Sequence, residues 1–387
     1  MRRFGGWAIR SIGEPVGASL PTPVDRSVRA CIPNQRLGTS KNDLCISENV
    51  KWNECKKLNR LESMRKTDLH KTNGFEPFES AWWAWNTHVH TIVASQFTGV
   101  QKPPHERIEI STPDEDFLEI DVCEAATDQP VVALFHGLEG STDRHYIANL
   151  MNELREAGFS SVALNFRGCG SRLNKQPRFY HSGATDDYRT VFNWIRQRFP
   201  DKEIYAVGYS LGANALVKYL GEEGSQSMVQ RAVAVSPPYD LKEGSIRMQQ
   251  GINKLYEKRF LITLTDKLEK KRNIYPDMPV DTGNSIYDFD DQVTAALHGF
   301  AGADDYYFKC SSRHFYGEVK SDLLVIHSQE DTLCPIEFAP QKTIMENKAI
   351  ETLFTDEGGH VGFISSPSGW LYRTILKWFE SDDSSGG

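Results

Sequence analysis

No C-x-x-C pair occurs in this chain of 387 residues, and its cysteines are odd in number and scattered. They are Cys31, Cys45, Cys55, Cys123, Cys169, Cys310 and Cys334. Zinc sites and disulfide frameworks need paired or regularly spaced cysteines, so the sequence favours neither. We expect reduced thiols, as in a cytosol-like compartment.

Long apolar runs and an excess of basic charge are also missing. A membrane-spanning helix needs roughly 20 apolar residues, and the most apolar early stretch, Trp82 to Phe97, is interrupted by Asn86, His88 and His90. Lys and Arg number 44 against 52 Asp and Glu, which gives a net charge of −8. Because phosphate binding needs a basic surface, we expect no nucleic-acid partner. We expect a soluble protein, cytoplasmic because export and spanning signals are missing, and the charge is compatible with a small neutral substrate.

Residues 1–75 differ in composition from the rest of the chain. Arginines alternate there with Pro, Ser and Gly, few acids precede residue 44, and apolar periodicity is weak. The start has no apolar segment of the kind found in secretory signals. We interpret residues 1–75 as a disordered or processed extension. Since a basic, acid-poor segment also fits a transit peptide, an organellar location stays open.

Short apolar runs alternate with amphipathic segments from about residue 105 onward. Val131 to Phe135 and Ser161 to Asn165 predict strands, whereas Arg144 to Ala157 and Asp186 to Arg198 predict helices. Alternation at this spacing indicates βαβ units. The fold class is therefore α/β, with a mostly parallel, doubly wound sheet covered on both faces.

The alternation stops over residues 238–320, which are charged and aromatic and include a predicted helix near Ile252 to Leu268. We expect a helical insertion or lid there, inside a domain of residues 76–380 that is followed by a polar tail, 381–387. A further helix is predicted around residues 336 to 346. Six aromatic residues of the insertion either line an acyl pocket or form the insertion's own core: Tyr256, Phe260, Phe289, Phe300, Tyr307 and Phe308.

The G-x-S-x-G segment Gly208 to Gly212 directly follows one predicted strand and precedes a helix. This context indicates a sharp strand-to-helix turn that raises the hydroxyl of Ser210 above the sheet, with glycines tolerating close backbone approach. The positive end of the helix dipole lies where negative charge would develop. Ser210 is therefore the candidate nucleophile.

A serine nucleophile needs a neighbouring imidazole to take its proton. His360 follows the last predicted strand, where a doubly wound sheet returns to the nucleophile, and it gives the chain order Ser, acid, His. The acid should follow the preceding strand. Asp331 does so, and the adjacent Glu330 is an alternative.

The oxyanion of an acyl-transfer intermediate needs hydrogen-bond donors. We expect one from the backbone N–H of Leu211 and a second from Leu138, in the loop after Val131 to Phe135. His136, which ends that strand, is expected to support the loop by hydrogen bonding.

Taken together, these segments resemble the YheT-like branch of the α/β-hydrolase superfamily, whose members are carboxylesterases or lipid-ester hydrolases. The resemblance covers about Phe75 to Phe379. It is carried by Asn86-Thr87-His88 with Thr91-Ile92, His136 to Ser141, Asn165 to Cys169, Arg178 to Gly183, Gly208 to Asn214, Val235-Ser236-Pro237, Phe289-Asp290-Asp291, His298-Gly299-Phe300, Asp305-Tyr306-Tyr307 and Gly359-His360. It implies an α/β-hydrolase fold and a triad of Ser210, Asp331 and His360.

Three positions depart from the usual pattern of that branch. His90 stands where Gln is common, and Glu115 interrupts a usual Asp-Gly-Asp. Glu330-Asp331-Thr332 replaces Asp-Asp-Pro, which leaves open which carboxylate orients the histidine.

Other polar residues are expected to be structural. His88 and His90 alternate on one face of a segment that we interpret as extended, but no third ligand at suitable spacing accompanies them for zinc. Arg167 and Arg178 either bind an anionic substrate group or, as we favour, tie loops to carboxylates such as Asp186 or Asp187. We expect no metal and no cofactor.

The predicted function is a serine esterase that cleaves short- to medium-chain or monoacylglycerol-like esters through an acyl-enzyme, with peripheral lipid contact possible. An acyltransferase using the same triad and a non-catalytic ligand-binding protein are the alternatives. Oligomeric state is left open.

Overall fold

The computed structural model describes residues 74–96 and 100–381. The predictions for the N-terminal extension and for the polar tail lie outside the described residues, apart from residues 74, 75 and 381.

One eight-stranded sheet organises the described part of the chain, in the order β1-β2-β4-β3-β5-β6-β7-β8. The strands are β1 (Glu106–Ser111), β2 (Phe117–Cys123), β3 (Val131–Phe135), β4 (Ser160–Asn165), β5 (Ile204–Tyr209), β6 (Val229–Val235), β7 (Asp322–Ser328) and β8 (Ile350–Thr355). β2 pairs antiparallel with β1 and β4, and all other pairs are parallel. The predicted α/β class with a mostly parallel sheet is confirmed.

Helices cover both faces of the sheet. The helices are α1 (Thr87–Gln96), α2 (His145–Glu156), α3 (Thr185–Arg198), α4 (Leu211–Glu223), α5 (Leu241–Met248), α6 (Asn253–Arg272), α7 (Ile286–Phe289), α8 (Ala295–His298), α9 (Ala303–Cys310), α10 (Gln341–Glu346) and α11 (Trp370–Glu380). β3 is fully buried, and its successive side chains point to opposite faces. Phe135 therefore packs with α3 and α4, whereas Leu134 packs with α2 and α11.

The segment between β6 and β7 is helical and contains α5 to α9, with a π-helical turn at Asp290–Thr294. Within the described residues, no helix is both long and apolar enough to span a bilayer.

Two local predictions were wrong. The helix expected around 336 to 346 is divided into a 3₁₀ turn, Ile336–Phe338, and α10, because Pro340 has no N–H to continue the hydrogen-bond ladder. The segment around His88 and His90 is helix α1 rather than extended. Asn86 caps this helix, since its Oδ1 accepts the N–H of Val89 at 2.9 Å.

Candidate active site

Ser210 occupies the turn between the end of β5 and the start of α4. Its backbone has φ 54° and ψ −120°, a conformation that is costly for a residue with a side chain. The turn is held where the neighbouring strand ends, because the Ser210 N–H donates to the carbonyl of Val235 at 2.9 Å. The strained turn places the hydroxyl at the carboxyl end of the sheet, where ligands of open α/β sheets bind.

Two glycines make this turn sterically possible. A Cβ at Gly208 would lie 2.6 Å from the carbonyl oxygen of Gly212, and a Cβ at Gly212 would lie 2.5 Å from the carbonyl oxygens of Phe135 and His136. These carbonyl oxygens belong to the backbone and cannot move away to make room for a Cβ. The G-x-S-x-G spacing therefore follows from how closely α4 approaches β5 and the end of β3.

Three distant segments meet at Ser210. The Ser210 Oγ lies 2.7 Å from Nε2 of His360, and the opposite ring nitrogen, Nδ1, lies 2.8 Å from Oδ2 of Asp331. Asp331 follows β7, and His360 follows β8. With Nδ1–H donating to the carboxylate, Nε2 is left to accept the serine proton, which is the arrangement that activates a hydroxyl.

The structure brings Asp331, and not Glu330, to the histidine. Asp331 is buried, and its Oδ1 accepts the backbone N–H groups of Leu333 at 2.9 Å and Cys334 at 3.0 Å. Burial alone would raise the pKa of Asp331, but the neighbouring His360 and these hydrogen bonds outweigh burial and lower it. Glu330 is exposed to solvent. Only Asp331 is thus both ionised and in contact with the imidazole.

The two predicted oxyanion donors lie at the same end of the sheet. Leu211 is the first residue of α4, where an N–H has no acceptor within its helix. Among the described residues, the Leu138 N–H donates to no protein acceptor. The loop is close to the nucleophile, since a Cβ at Gly137 would lie 3.2 Å from the Cβ of Ser210.

His136 fixes the peptide that carries the Leu138 N–H. Its Nε2 accepts the N–H of Phe166 at 3.2 Å, so Nδ1 carries the proton and donates to the carbonyl of Gly137 at 2.7 Å. Complete burial lowers the pKa of His136 to about 3, which keeps the ring neutral. Because the Gly137 carbonyl and the Leu138 N–H belong to one planar peptide, holding the first orients the second.

Helix α1 supports His360, a role that our sequence analysis missed. The hydroxyl of Thr91 accepts the N–H of His360 at 2.9 Å and donates to the carbonyl of Thr87 at 2.8 Å. A Cβ at Gly359 would lie 2.6 Å from that hydroxyl. The Asn86 cap was the signal in the sequence that this segment is helical.

His88 and His90 both contact other side chains or backbone of the protein. His90 is buried, with Nδ1 accepting the N–H of Ile364 at 3.1 Å and Nε2 lying 3.1 Å from the hydroxyl of Ser80. His88 lies 3.3 Å from the hydroxyl of Tyr256.

A cavity of about 230 Å³ opens beside Ser210. Of the six aromatic residues considered, Tyr256, Phe260, Phe289 and Tyr307 line it. Phe300 packs instead against Tyr306 and His181, and Phe308 is exposed. Further apolar side chains complete the wall: Leu138, Phe179, Leu241, Met248, Leu264, Val293, Leu297 and Leu333.

The arginines considered for substrate binding are used within the fold. Arg167 is buried and bonds Asp187, Asp114 and Asp116 at 2.7 to 2.9 Å, and Arg178 pairs with Asp114 at 2.7 Å. The expectation that these arginines tie loops to carboxylates is met, through Asp187 rather than Asp186.

One group of possible metal ligands lies in the site. Ligand atoms of Asp331, Cys334 and His360 are within 4.8 Å of one another. The Asp331 and His360 atoms, however, already bond each other, and burial raises the pKa of the Cys334 thiol well above its usual range. This chemistry suits an orienting pair better than a metal.

Comparison with known proteins places the chain in a family. Residues 130–367 match the family model described as alpha/beta hydrolase fold. The putative esterase YheT of Escherichia coli (strain K12) is 33% identical over 308 residues, which cover 76% of this chain and 90% of that protein. A monoacylglycerol lipase of Saccharomyces cerevisiae is 28% identical over 268 residues, 65% of this chain and 59% of the lipase.

A solved structure gives the same fold. The esterase Pf2001 of Pyrococcus furiosus superposes with a TM-score of 0.51 at 18% identity, covering 79% of this chain and 98% of that one. From the family model and the match to the putative esterase YheT, the chain belongs to the alpha/beta-hydrolase family, in its YheT-like branch.

Proposed function

We propose that the chain hydrolyses carboxylic esters of short- to medium-chain fatty acids, monoacylglycerol-like esters included, by two-step acyl transfer on Ser210. That it is a carboxylic ester hydrolase follows from its family and its esterase relatives. The proposal adds the residues and the substrate class. The observation that carries it is the continuous hydrogen-bonded chain from the Ser210 hydroxyl through His360 to Asp331.

In the first step, Ser210 Oγ attacks the ester carbonyl while Nε2 of His360 takes the hydroxyl proton. Asp331 stabilises the imidazolium that forms. The proton then passes from His360 to the departing alcohol, which leaves an acyl-Ser210 ester. In the second step, His360 takes a proton from water, the hydroxide attacks the acyl carbonyl, and the acid leaves as the proton returns to Ser210.

The tetrahedral intermediates carry negative charge on the former carbonyl oxygen. The N–H groups of Leu138 and Leu211 are the proposed donors to this oxygen, since both lie beside Ser210 and neither needs to break a helix hydrogen bond. Each donor of this type is worth roughly 2.7 to 4 kcal/mol of transition-state stabilisation. His136 contributes by holding the first donor in place.

The apolar cavity supports an acyl ester as substrate. Its wall is largely aliphatic and aromatic, so burial of an acyl chain there is favourable, and its limited volume favours short and medium chains over long ones. Part of this wall comes from the helical segment between β6 and β7, which we propose acts as the lid over the site.

Lipid contact around the cavity entrance is also part of the proposal. Trp82 is 90% exposed, Trp85 77% and Leu255 69%. The two tryptophans directly precede α1, which meets α6, the helix of Leu255, at the contact between His88 and Tyr256. Exposed tryptophans and apolar residues beside a lipid-hydrolysing cavity suit the interface of a membrane or a micelle.

Replacement of the nucleophile tests the proposal. The substrates are the p-nitrophenyl esters of acetate, butyrate, octanoate and palmitate. The wild type should hydrolyse the butyrate or octanoate ester fastest, and Ser210→Ala should abolish hydrolysis of all four. The matched control is Ser225→Ala, an exposed serine in the 3₁₀ turn after α4, which should keep wild-type rates. Wild-type turnover by the Ser210 variant would refute the assignment. Product analysis with added ethanol separates hydrolysis from acyl transfer to an alcohol.

A further inference from the structure

Two arginines from different parts of the fold line the cavity that contains Ser210. Arg144 directly precedes α2 and follows the loop that carries Leu138, and Arg259 lies on α6. Arg144 is half-buried and Arg259 is exposed, so both side chains lie where the cavity wall meets solvent. One guanidinium nitrogen of Arg144, Nη2, donates to the backbone carbonyl of Glu139 at 2.9 Å, which anchors the side chain.

Neither arginine has an acidic partner within salt-bridge distance among the residues that the structure describes. Nearby arginines differ in this respect. Arg167 and Arg178 bind aspartates, and Arg189 binds Glu222 and Glu223 at 3.0 and 2.7 Å. In the described part of the chain, the cavity pair therefore presents positive charge that no acidic side chain contacts.

The acidic groups of the cavity wall have hydrogen-bond partners other than the two arginines. The carboxylate of Glu139 accepts from Lys267 at 2.8 Å and from the hydroxyl of Tyr180 at 2.8 Å. Asp290 bonds Thr294 and Tyr307, and burial raises its pKa to about 6.

The other titratable groups of the wall add no negative charge. Burial lowers the pKa of His181 and of His298, so both rings are neutral. Partial burial, together with the charge of Arg144, lowers the pKa of Arg259. Two like charges that face one cavity, neither of them in contact with an acidic side chain of the described residues, are stabilised by an anion that contacts both.

We propose that Arg144 and Arg259 bind the phosphate group of the substrate, which would make the preferred ester an acyl glycerol phosphate or a close relative of it. This inference rests on the proposed function, because it concerns the same cavity. Phosphate fits the site well, since guanidinium groups present a planar fork of donors and a phosphate offers enough oxygens for two such forks. The acyl chain enters the apolar part of the cavity while the charged group stays at the partly hydrated mouth.

Binding of lipids that cannot be hydrolysed tests the inference independently of catalysis. The probes are 1-O-octylglycerol 3-phosphate and 1-O-octylglycerol, ether lipids that differ only in the phosphate, and calorimetry on the full chain gives their affinities. We expect the phosphorylated lipid to bind the wild type about tenfold or more tightly. Arg144→Gln and Arg259→Gln should each reduce this preference, and the double variant should remove it.

Two controls make the result specific. Arg155→Gln changes an exposed arginine at the other end of α2 that does not line the cavity, and it should keep the preference. Inorganic phosphate should bind much more weakly than the lipid phosphate, because it does not use the apolar part of the cavity. Equal affinity for the two ether lipids would overturn the inference, as would a preference that survives the double variant. If inorganic phosphate bound as tightly as the lipid, the site would belong to a free anion rather than to the substrate.

The binding result stays separate from the enzymatic proposal. If the wild type prefers the phosphorylated lipid but hydrolyses no ester, the proposed function fails and the phosphate site stands. If it hydrolyses neutral esters without preference for phosphate, the phosphate site fails and the proposed function stands.

Discussion

Asp331→Asn removes the negative charge of the proposed triad with almost no change of shape. In the native site, Nδ1–H of His360 donates to Oδ2 of Asp331 at 2.8 Å, while Oδ1 accepts two backbone N–H groups. The amide oxygen of Asn would still accept the hydrogen bonds of those two N–H groups, so the NH₂ group would face His360. An NH₂ group cannot accept from Nδ1–H, and it favours the tautomer with the proton on Nε2.

That tautomer cannot take the proton of Ser210. From the same change in a Ser-His-Asp triad, we expect kcat to fall roughly 10³- to 10⁴-fold, a loss of about 4 to 5.5 kcal/mol of transition-state stabilisation. The assay is p-nitrophenyl butyrate hydrolysis, with thermal unfolding measured beside it to verify folding. Glu330→Gln is the matched control and should leave kcat close to wild type. Near-normal activity of Asp331→Asn, or an equal loss in Glu330→Gln, would refute our choice of carboxylate.

Three other predictions concern the support of the site, its stability and its surroundings. Thr91→Val should leave the N–H of His360 without its acceptor, which costs about 1 to 3 kcal/mol of folding free energy. Both kcat and the thermal midpoint should therefore fall, and unchanged values of both would contradict the role of α1. Burial would raise the pKa of Asp121, but Arg107 and Lys102 lower it to about 2. The stabilisation from the ionised Asp121 carboxylate is therefore fully present above the ordinary carboxyl pKa and is lost as pH falls through about 2. Urea unfolding across acidic pH should show this loss in the wild type and a weaker pH dependence in Asp121→Asn. Leu255→Glu should reduce the amount of protein that sediments with phosphatidylglycerol vesicles. The control is Met345→Glu on α10, an apolar position that is 60% exposed, which should not reduce it. Equal effects of the two variants would argue against a lipid-facing entrance.

The predicted sheet and the predicted nucleophile depended on local signals; the structure confirms the sheet and places Ser210 at the turn between β5 and α4. β3 has the predicted bounds because five successive apolar residues can only be buried on both faces of a sheet. Ser210 was identifiable because glycines on both sides of it permit a close approach of backbone that no other residue allows.

Features that depend on distant packing could not be predicted in the same way. Helix α1 contains Val89, Thr91, Ile92 and Val93, whose β-branched side chains favour strands locally, and its contacts with the loop around Gly359 become visible only in the folded chain. The choice between Glu330 and Asp331 likewise depends on which of two adjacent carboxylates turns inward.

The arginine pair shows the same limit at longer range. Arg144 and Arg259 are far apart in the sequence, and neither belongs to a recognisable motif. Only the cavity that both line brings them into one site.

Covalent labelling of Ser210 tests the central claim most directly. A fluorophosphonate reacts with a serine only if that serine is activated, and peptide mass spectrometry identifies the residue that carries the adduct. We predict a single adduct on Ser210 in the wild type, which is lost in Ser210→Ala and strongly slowed in His360→Ala. An unlabelled Ser210, or labelling at the same rate without the imidazole of His360, would contradict the account.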